Sequence, residues 1–403
     1  MRLLFNGLTL LPRYVTDRNS PIEFLDEQTR RSIMQKGAAG FAAVTGLAGG
    51  SGTAVGQSEG AQGDDWFRPP EPADEPVAEA QEFLEVFAEN ATPIHELSTE
   101  EAREAYQKLF IEDVEPEEAD NAVGDVENME IPGPNDTEIP IRVYTPEEGS
   151  EPYPVTVYFH GGGWVLGDLD THDSVARSLT NSSEAMVVSV DYRLAPENPF
   201  PAAVRDAYAA TEWVVQNAEE IGADSEQVAI AGESAGANLS TVTALQRRAN
   251  DKQELAHQLL VYPVGTLAKP YIFPTDRPVE NPYLVPEDAA WFGSRYLPYG
   301  EAAHNAYTSP LYNASDLNNL PSATVLSTGF GLWRNQSFAY AKRLHGSGVD
   351  VDYINYPALI HDVLNMQHLP DPYPDIPQAQ EMFDDAGSAL QTAFEKCRSE
   401  SSE

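Results

Sequence analysis

A single cysteine, Cys397, stands among 403 residues, so no internal disulfide can form and no cysteine-based metal cluster can be built. Basic residues are scarce as well. Only 24 Lys plus Arg face 64 Asp plus Glu, for a formal charge of −40, and just 6 of the 24 are lysines. Such a surface repels phosphate backbones and anionic lipid head groups, which speaks against nucleic-acid and membrane-surface partners. Long apolar runs are missing too: the Gly/Ala stretch at 37–56 is too short and too rich in glycine to span a bilayer. What is present in excess is acid, spread along the chain and not gathered into a tail, as expected of a solvated surface. Together with the preference for Arg over Lys, this is the composition expected of a protein working in concentrated salt, where a Debye length of about 3 Å at 1 M quenches self-repulsion. With 41% apolar residues a sizeable core can form, and the length suits one large α/β domain as well as two or three smaller ones.

Near the N-terminus, Arg30 and Arg31 precede a mildly apolar, small-residue stretch, TRRSIMQKGAAGFAAVTGLAGGSGTAVGQ at 29–57. It resembles a twin-arginine export signal, with residues 1–56 removed and the mature protein extracellular or at the cell surface. The 28 residues before the motif keep a cytoplasmic protein with an N-terminal extension open as the alternative. Residues 57–76, rich in Gly, acid and Pro, read as a linker.

Beyond the linker, EAQEFLEVFAENA and TEEAREAYQKLFIE carry apolar residues at helical spacing. From about residue 130 short apolar runs alternate with helical patterns: strands are expected at 139–144, 155–159, 185–190, 228–231, 259–264, 323–327 and 349–356, and helices at 202–217 and 235–250. This alternation argues an α/β fold, a central, mostly parallel sheet covered by helices on both faces. A Pro- and aromatic-rich stretch, 265–311, interrupts it and is expected to cross one end of the sheet.

Two motifs carry chemistry. Gly232-Glu233-Ser234-Ala235-Gly236 matches G-x-S-x-G between an expected strand and an expected helix. There a sharp turn lifts the serine hydroxyl above the sheet edge and points a helix N-terminus at developing negative charge. His160-Gly161-Gly162-Gly163-Trp164 follows an earlier strand. Consecutive glycines let the N–H groups of Gly162 and Gly163 face a substrate oxygen, and the N–H of Ala235 completes an oxyanion hole.

With GDLDTHD at 167–173, DYRLAPE at 191–197, PFPAAVRDA at 199–207 and YPV at 262–264, these motifs resemble the hormone-sensitive-lipase family of α/β-hydrolase esterases. The resemblance runs from roughly residue 76 to 366. It implies an α/β-hydrolase domain over 77–403 with cap helices within about 77–125, Ser234 as nucleophile and His361 as general base. It further implies a small ester of short to medium acyl chain as substrate. No metal or organic cofactor is implied, since no cluster has ligand spacing. The oligomeric state is not legible, and peptide or amide hydrolysis by the same chemistry stays open.

The family pattern fails at one place. Its acid opens a motif Asp-Pro-Leu-Arg-Asp about thirty residues before the histidine, and here Gly331 stands at that position, with Asn335 for the second aspartate. Glycine offers nothing to hold the Nδ1 proton of a catalytic histidine. A substitute, Asn335, Asp352 or Asp362, is one reading; a Ser-His dyad of reduced activity is another. The third is an impaired pseudoenzyme that keeps the pocket as a ligand-binding module.

Overall fold

The computed structural model describes residues 69–111, 121–268, 283–367, 369 and 372–400. The twin-arginine segment and linker residues 57–68 lie outside the described residues. Everything below concerns the described residues within Gly52–Glu403.

Eight strands form one sheet: β1 (Asp125–Pro132), β2 (Glu138–Thr145), β3 (Tyr153–Phe159), β4 (Met186–Val190), β5 (Ala223–Glu233), β6 (Gln258–Val261), β7 (Ala323–Phe330) and β8 (Val351–Ile360). Their order is β1-β2-β4-β3-β5-β6-β7-β8. β2 pairs antiparallel with both β1 and β4, and every pair from β4 to β8 is parallel.

Helices cover the sheet as the strand pattern demands. Val187, Ala229, Ala231, Leu259 and Val261 belong to one apolar cluster with residues of α3 (Asp173–Ser183) and α9 (Ala379–Glu400). Their neighbours Val188, Ile230 and Leu260 are equally buried and, by the two-residue period of a strand, face the other way. There α4 (Ala202–Asn217) packs on α5 (Ala235–Ala249) and both reach β5. Burial on both faces is why the central strands read as continuous Val/Ile/Leu/Ala runs instead of alternating ones.

Several elements were not anticipated, among them α3, α7 (Pro310–Asn313) and α8 (Arg334–Gly346), and for two more the reason is plain. β1 is an edge strand, DVENMEIP, with only Ile131 fully buried, so its sequence shows little apolar periodicity. The terminal α9 buries Met382, Phe383, Leu390 and Phe394, yet follows a stretch without family motifs.

Above the C-terminal ends of the strands, α6 (Pro286–Tyr296), which lies in the interrupting stretch, meets the start of α2 (Thr99–Phe110) and the short helical turn Ile94–Glu96 before it, while α1 (Ala78–Asn90) packs Phe83 and Phe87 on Tyr283 of the same stretch. Ser98 and Glu101 make a reciprocal capping box at the start of α2. His95 Nδ1 lies 2.7 Å from Asp288 Oδ1, Trp291 Nε1 donates to the Leu97 carbonyl at 2.9 Å, and Arg295 Nε donates to Thr99 Oγ1 at 2.9 Å. The stretch is therefore not a bare loop: its helix joins the N-terminal pair in one cover.

Candidate active site

β5 ends at Glu233 and α5 begins at Ala235, so the whole turn is Ser234, held at φ 54°, ψ −112°. A non-glycine residue reaches that region only when its surroundings impose it. Here they do so through close backbone packing: a Cβ on Gly236 would run into the Phe159 carbonyl, and one on Gly232 into the carbonyl carbon of Gly236. The two motif glycines thus let β3, β5 and α5 converge under the serine. Its hydroxyl sits at the positive end of a 15-residue helix.

His361 directly follows β8 and is 3% exposed. Its Nε2 lies 3.1 Å from Ser234 Oγ. Burial pulls its pKa down to about 3, so the ring is neutral and Nε2 can act as an acceptor. Ser234, His361, Gly162 and Gly163 line one narrow cavity beneath Tyr106, Phe292 and Trp333. The cavity has a volume of about 40 Å³, room for a few waters at about 10–15 Å³ each. Gly162 and Gly163 have φ of 88° and 61°, and Leu166 N–H closes the loop onto Gly162 O at 2.8 Å. Ala235 is the first residue of α5, next to the nucleophile.

Glu233, the unspecified residue of G-x-S-x-G, was missed as a working part of the site. Its buried carboxyl accepts the N–H of Gly161 and the hydroxyl of Tyr158, the latter at 3.3 Å. It thereby ties the glycine loop to the turn that carries Ser234. Burial pushes its pKa up to about 8 and that of His172, 3.2 Å away, down to about 4. At neutral pH both groups are uncharged, so their contact is a neutral polar one and not an ion pair. Other motif residues prove to be scaffold. Arg193 of DYRLAPE grips the fully buried Asp206 of PFPAAVRDA with its backbone N–H and, at 2.8 and 2.7 Å, with its guanidinium.

The far side of His361 is bare. Nδ1 is buried without a hydrogen-bond partner among the described residues. A Cβ built on Gly331 would start 3.8 Å from it, which is where an acid would have to project. None of the three substitutes meets it. Asn335 Oδ1 accepts from Arg334 Nε at 3.2 Å. Asp352 is exposed on β8 opposite Thr324, nine residues before His361 and so roughly 30 Å away along the strand. Asp362 is buried beside the cavity, but its carboxyl accepts the Tyr283 hydroxyl at 3.0 Å and makes no hydrogen bond to Nδ1.

A family profile for the alpha/beta hydrolase fold matches residues 156–365. The chain belongs to the α/β-hydrolase family. Within it, the chain is 40% identical over 234 residues to a carboxylesterase of Mycobacterium tuberculosis, covering 57% of this chain and 72% of that one. It is 36% identical over 282 residues to an arylesterase of Saccharolobus solfataricus, covering 67% and 86%. A hyperthermophilic esterase from Pyrobaculum calidifontis superposes with TM-score 0.69 at 35% identity, over 78% of this chain and 96% of that one. A thermostable esterase from Pseudomonas putida gives 0.73 at 31%, over 80% and 98%. This α/β-hydrolase therefore stands among esterases by sequence and by structure.

Proposed function

We propose that the protein is a serine carboxylesterase acting on small esters of short to medium acyl chain. The observation that carries this reading is the 3.1 Å contact between Ser234 Oγ and the neutral Nε2 of His361 at the floor of an apolar cavity. Ser234 Oγ attacks the ester carbonyl while His361 Nε2 takes its proton. The N–H groups of Gly162, Gly163 and Ala235 receive the oxyanion. Collapse expels the alcohol, protonated by His361, and leaves an acyl-enzyme. Water, deprotonated by the same nitrogen, then releases the acid and restores the serine. The tight cavity favours short acyl groups.

The bare Nδ1 favours a second reading, a catalytically impaired protein that keeps the pocket for binding. Initial rates on p-nitrophenyl acetate and butyrate in molar KCl separate the two. Turnover well above that of Ser234→Ala supports the esterase, and turnover equal to it supports the binder. We further propose that the acid-rich surface adapts the enzyme to brine and that residues 1–56 direct its export. The protein found intact in washed cytoplasm would refute the second point.

A further inference from the structure

Two buried polar atoms at the same spot lack partners among the described residues. His361 Nδ1 is one; Thr328 Oγ1, on a fully buried side chain, is the other. A Cβ built on Gly331 would lie 2.5 Å from the threonine hydroxyl and 3.8 Å from the histidine nitrogen. The space into which a side chain at 331 would grow is thus already held by the Thr328 hydroxyl.

The backbone explains how it got there. β7 and β8 run in parallel register to Thr328↔Tyr356, then slip before Phe330↔Ile360. A Cβ on Gly329, between them, would run into the Pro357 carbonyl. Gly331 N–H turns back to Thr328 O at 3.2 Å. Bulges of this kind re-aim the side chains beside them, and this one leaves Thr328 on one strand end facing the ring that leaves the other.

We propose that Thr328 is the positioning residue for His361, its hydroxyl oxygen accepting the Nδ1–H hydrogen bond that Gly331 cannot, directly after a turn about χ1 or across one water. For Nε2 to accept the serine proton the ring must carry its own proton on Nδ1, and a buried N–H left unpaired is unfavourable. A hydroxyl satisfies it and fixes the tautomer. Being neutral, it does not stabilise the imidazolium as a carboxylate does.

This inference rests on the esterase reading, and its test keeps the two apart. In the full chain, Thr328→Val should lower kcat by about tenfold or more at nearly unchanged KM, while Thr328→Ser, which keeps the oxygen, should stay within about threefold of the parent. Because the hydroxyl crowds position 331, Gly331→Asp should gain more kcat in a Thr328→Ala background than alone. Thr328→Val equal to an active parent, or Thr328→Ser as impaired as Thr328→Val, overturns the proposal. Should Thr328→Val fail to fold, Thr328→Ser against Thr328→Ala decides it. An inactive parent overturns the esterase reading alone. The downfield Nδ1 proton resonance of His361 then decides, since it should be present in the parent and in Thr328→Ser and lost in Thr328→Val. Its persistence in Thr328→Val would refute the role.

Discussion

His361 presents Nε2 to Ser234 Oγ at 3.1 Å while Nδ1, on the opposite edge of the same ring, meets no partner among the described residues. A base with the serine at one edge and no acid at the other is the unusual feature of this site, and it sets the pH behaviour.

With burial holding the His361 pKa at about 3, the base form persists through mildly acid solution. The expected kcat/KM profile is therefore flat from about pH 5 to 8. The low basicity also makes His361 a weak proton acceptor. Gly331→Asp sets a carboxylate beside Nδ1, which favours the imidazolium and raises the pKa. Its acid limb should move up into about pH 5–7, and its rate at pH 8 should exceed the parent's by about tenfold or more, below the ~10⁴ that a triad acid supplies at most. Profiles of the two proteins measured side by side check both claims. Superimposable acid limbs would show that the position does not face the ring.

How much of this was legible beforehand follows from where the information sits. Ser234 and the glycine run were readable because close backbone packing forces glycine at 232 and 236 and leaves a motif. Gly331 was readable as a gap. Thr328 was not, because a slip in register between two strands, not spacing along one, carries it to the gap. Glu233 occupied an unspecified motif position, so its bond to the Gly161 N–H, 72 residues away, had no sequence signal. Of the seven strands legible from β2 to β8, the central ones showed as apolar runs because both faces are buried, while β2 and β8 kept enough buried positions to show despite their exposed ones; β1, exposed at the edge, did not.

Glu233 should make stability depend on pH in an unusual sense. Unfolded, it loses its proton near 4.5; folded, it keeps the proton up to about 8. Between these values the native state binds the extra proton, so the contribution is fully present below the unfolded pKa and fades as pH rises through the folded one. Glu233→Gln cannot ionise, and its amide oxygen can still accept from Gly161. Its melting temperature should fall less than the parent's between about pH 5 and 8.5, by roughly ten degrees, since about 4 kcal/mol of linkage is at stake at about 2–4 °C per kcal/mol. Parallel melting curves across that range would expose a parent carboxylate that ionises freely.

Phe292 narrows the cavity that Ser234 and His361 line. Its ring lies where a Cβ on Gly163 would be, and it lines the pocket opposite Ser234. Phe292→Ala should open space along the glycine loop and raise kcat/KM for p-nitrophenyl hexanoate relative to acetate by about tenfold, since each buried CH₂ is worth about 0.8 kcal/mol. Gly163→Ala, whose new methyl collides with the same ring at a backbone φ of 61°, should lose activity on every ester tested. An unchanged chain-length preference in Phe292→Ala would place the acyl group elsewhere.

The acid surface should make folding depend on salt, and α1 shows why. Glu79, Glu82, Glu85 and Glu89 follow one another at spacings of three and four along a helix with no basic residue. Neighbours at these spacings share a face, and like charges there cost about 0.2–0.5 kcal/mol per pair in dilute buffer. Across a chain of net charge −40, such repulsion is screened when the Debye length falls from about 10 Å at 0.1 M to about 3 Å at 1 M. The melting temperature should therefore climb steeply between 0.1 and roughly 3 M KCl, well beyond its response to sucrose of equal osmolality, which excludes without screening. Glu82→Lys turns two repulsive pairs, with Glu79 and Glu85, into attractive ones. It should raise the melting temperature at low salt and narrow the gap between low and high salt. A melting temperature equally insensitive to KCl in both proteins would mean that the charge is an ordinary acidic surface with no role in brine.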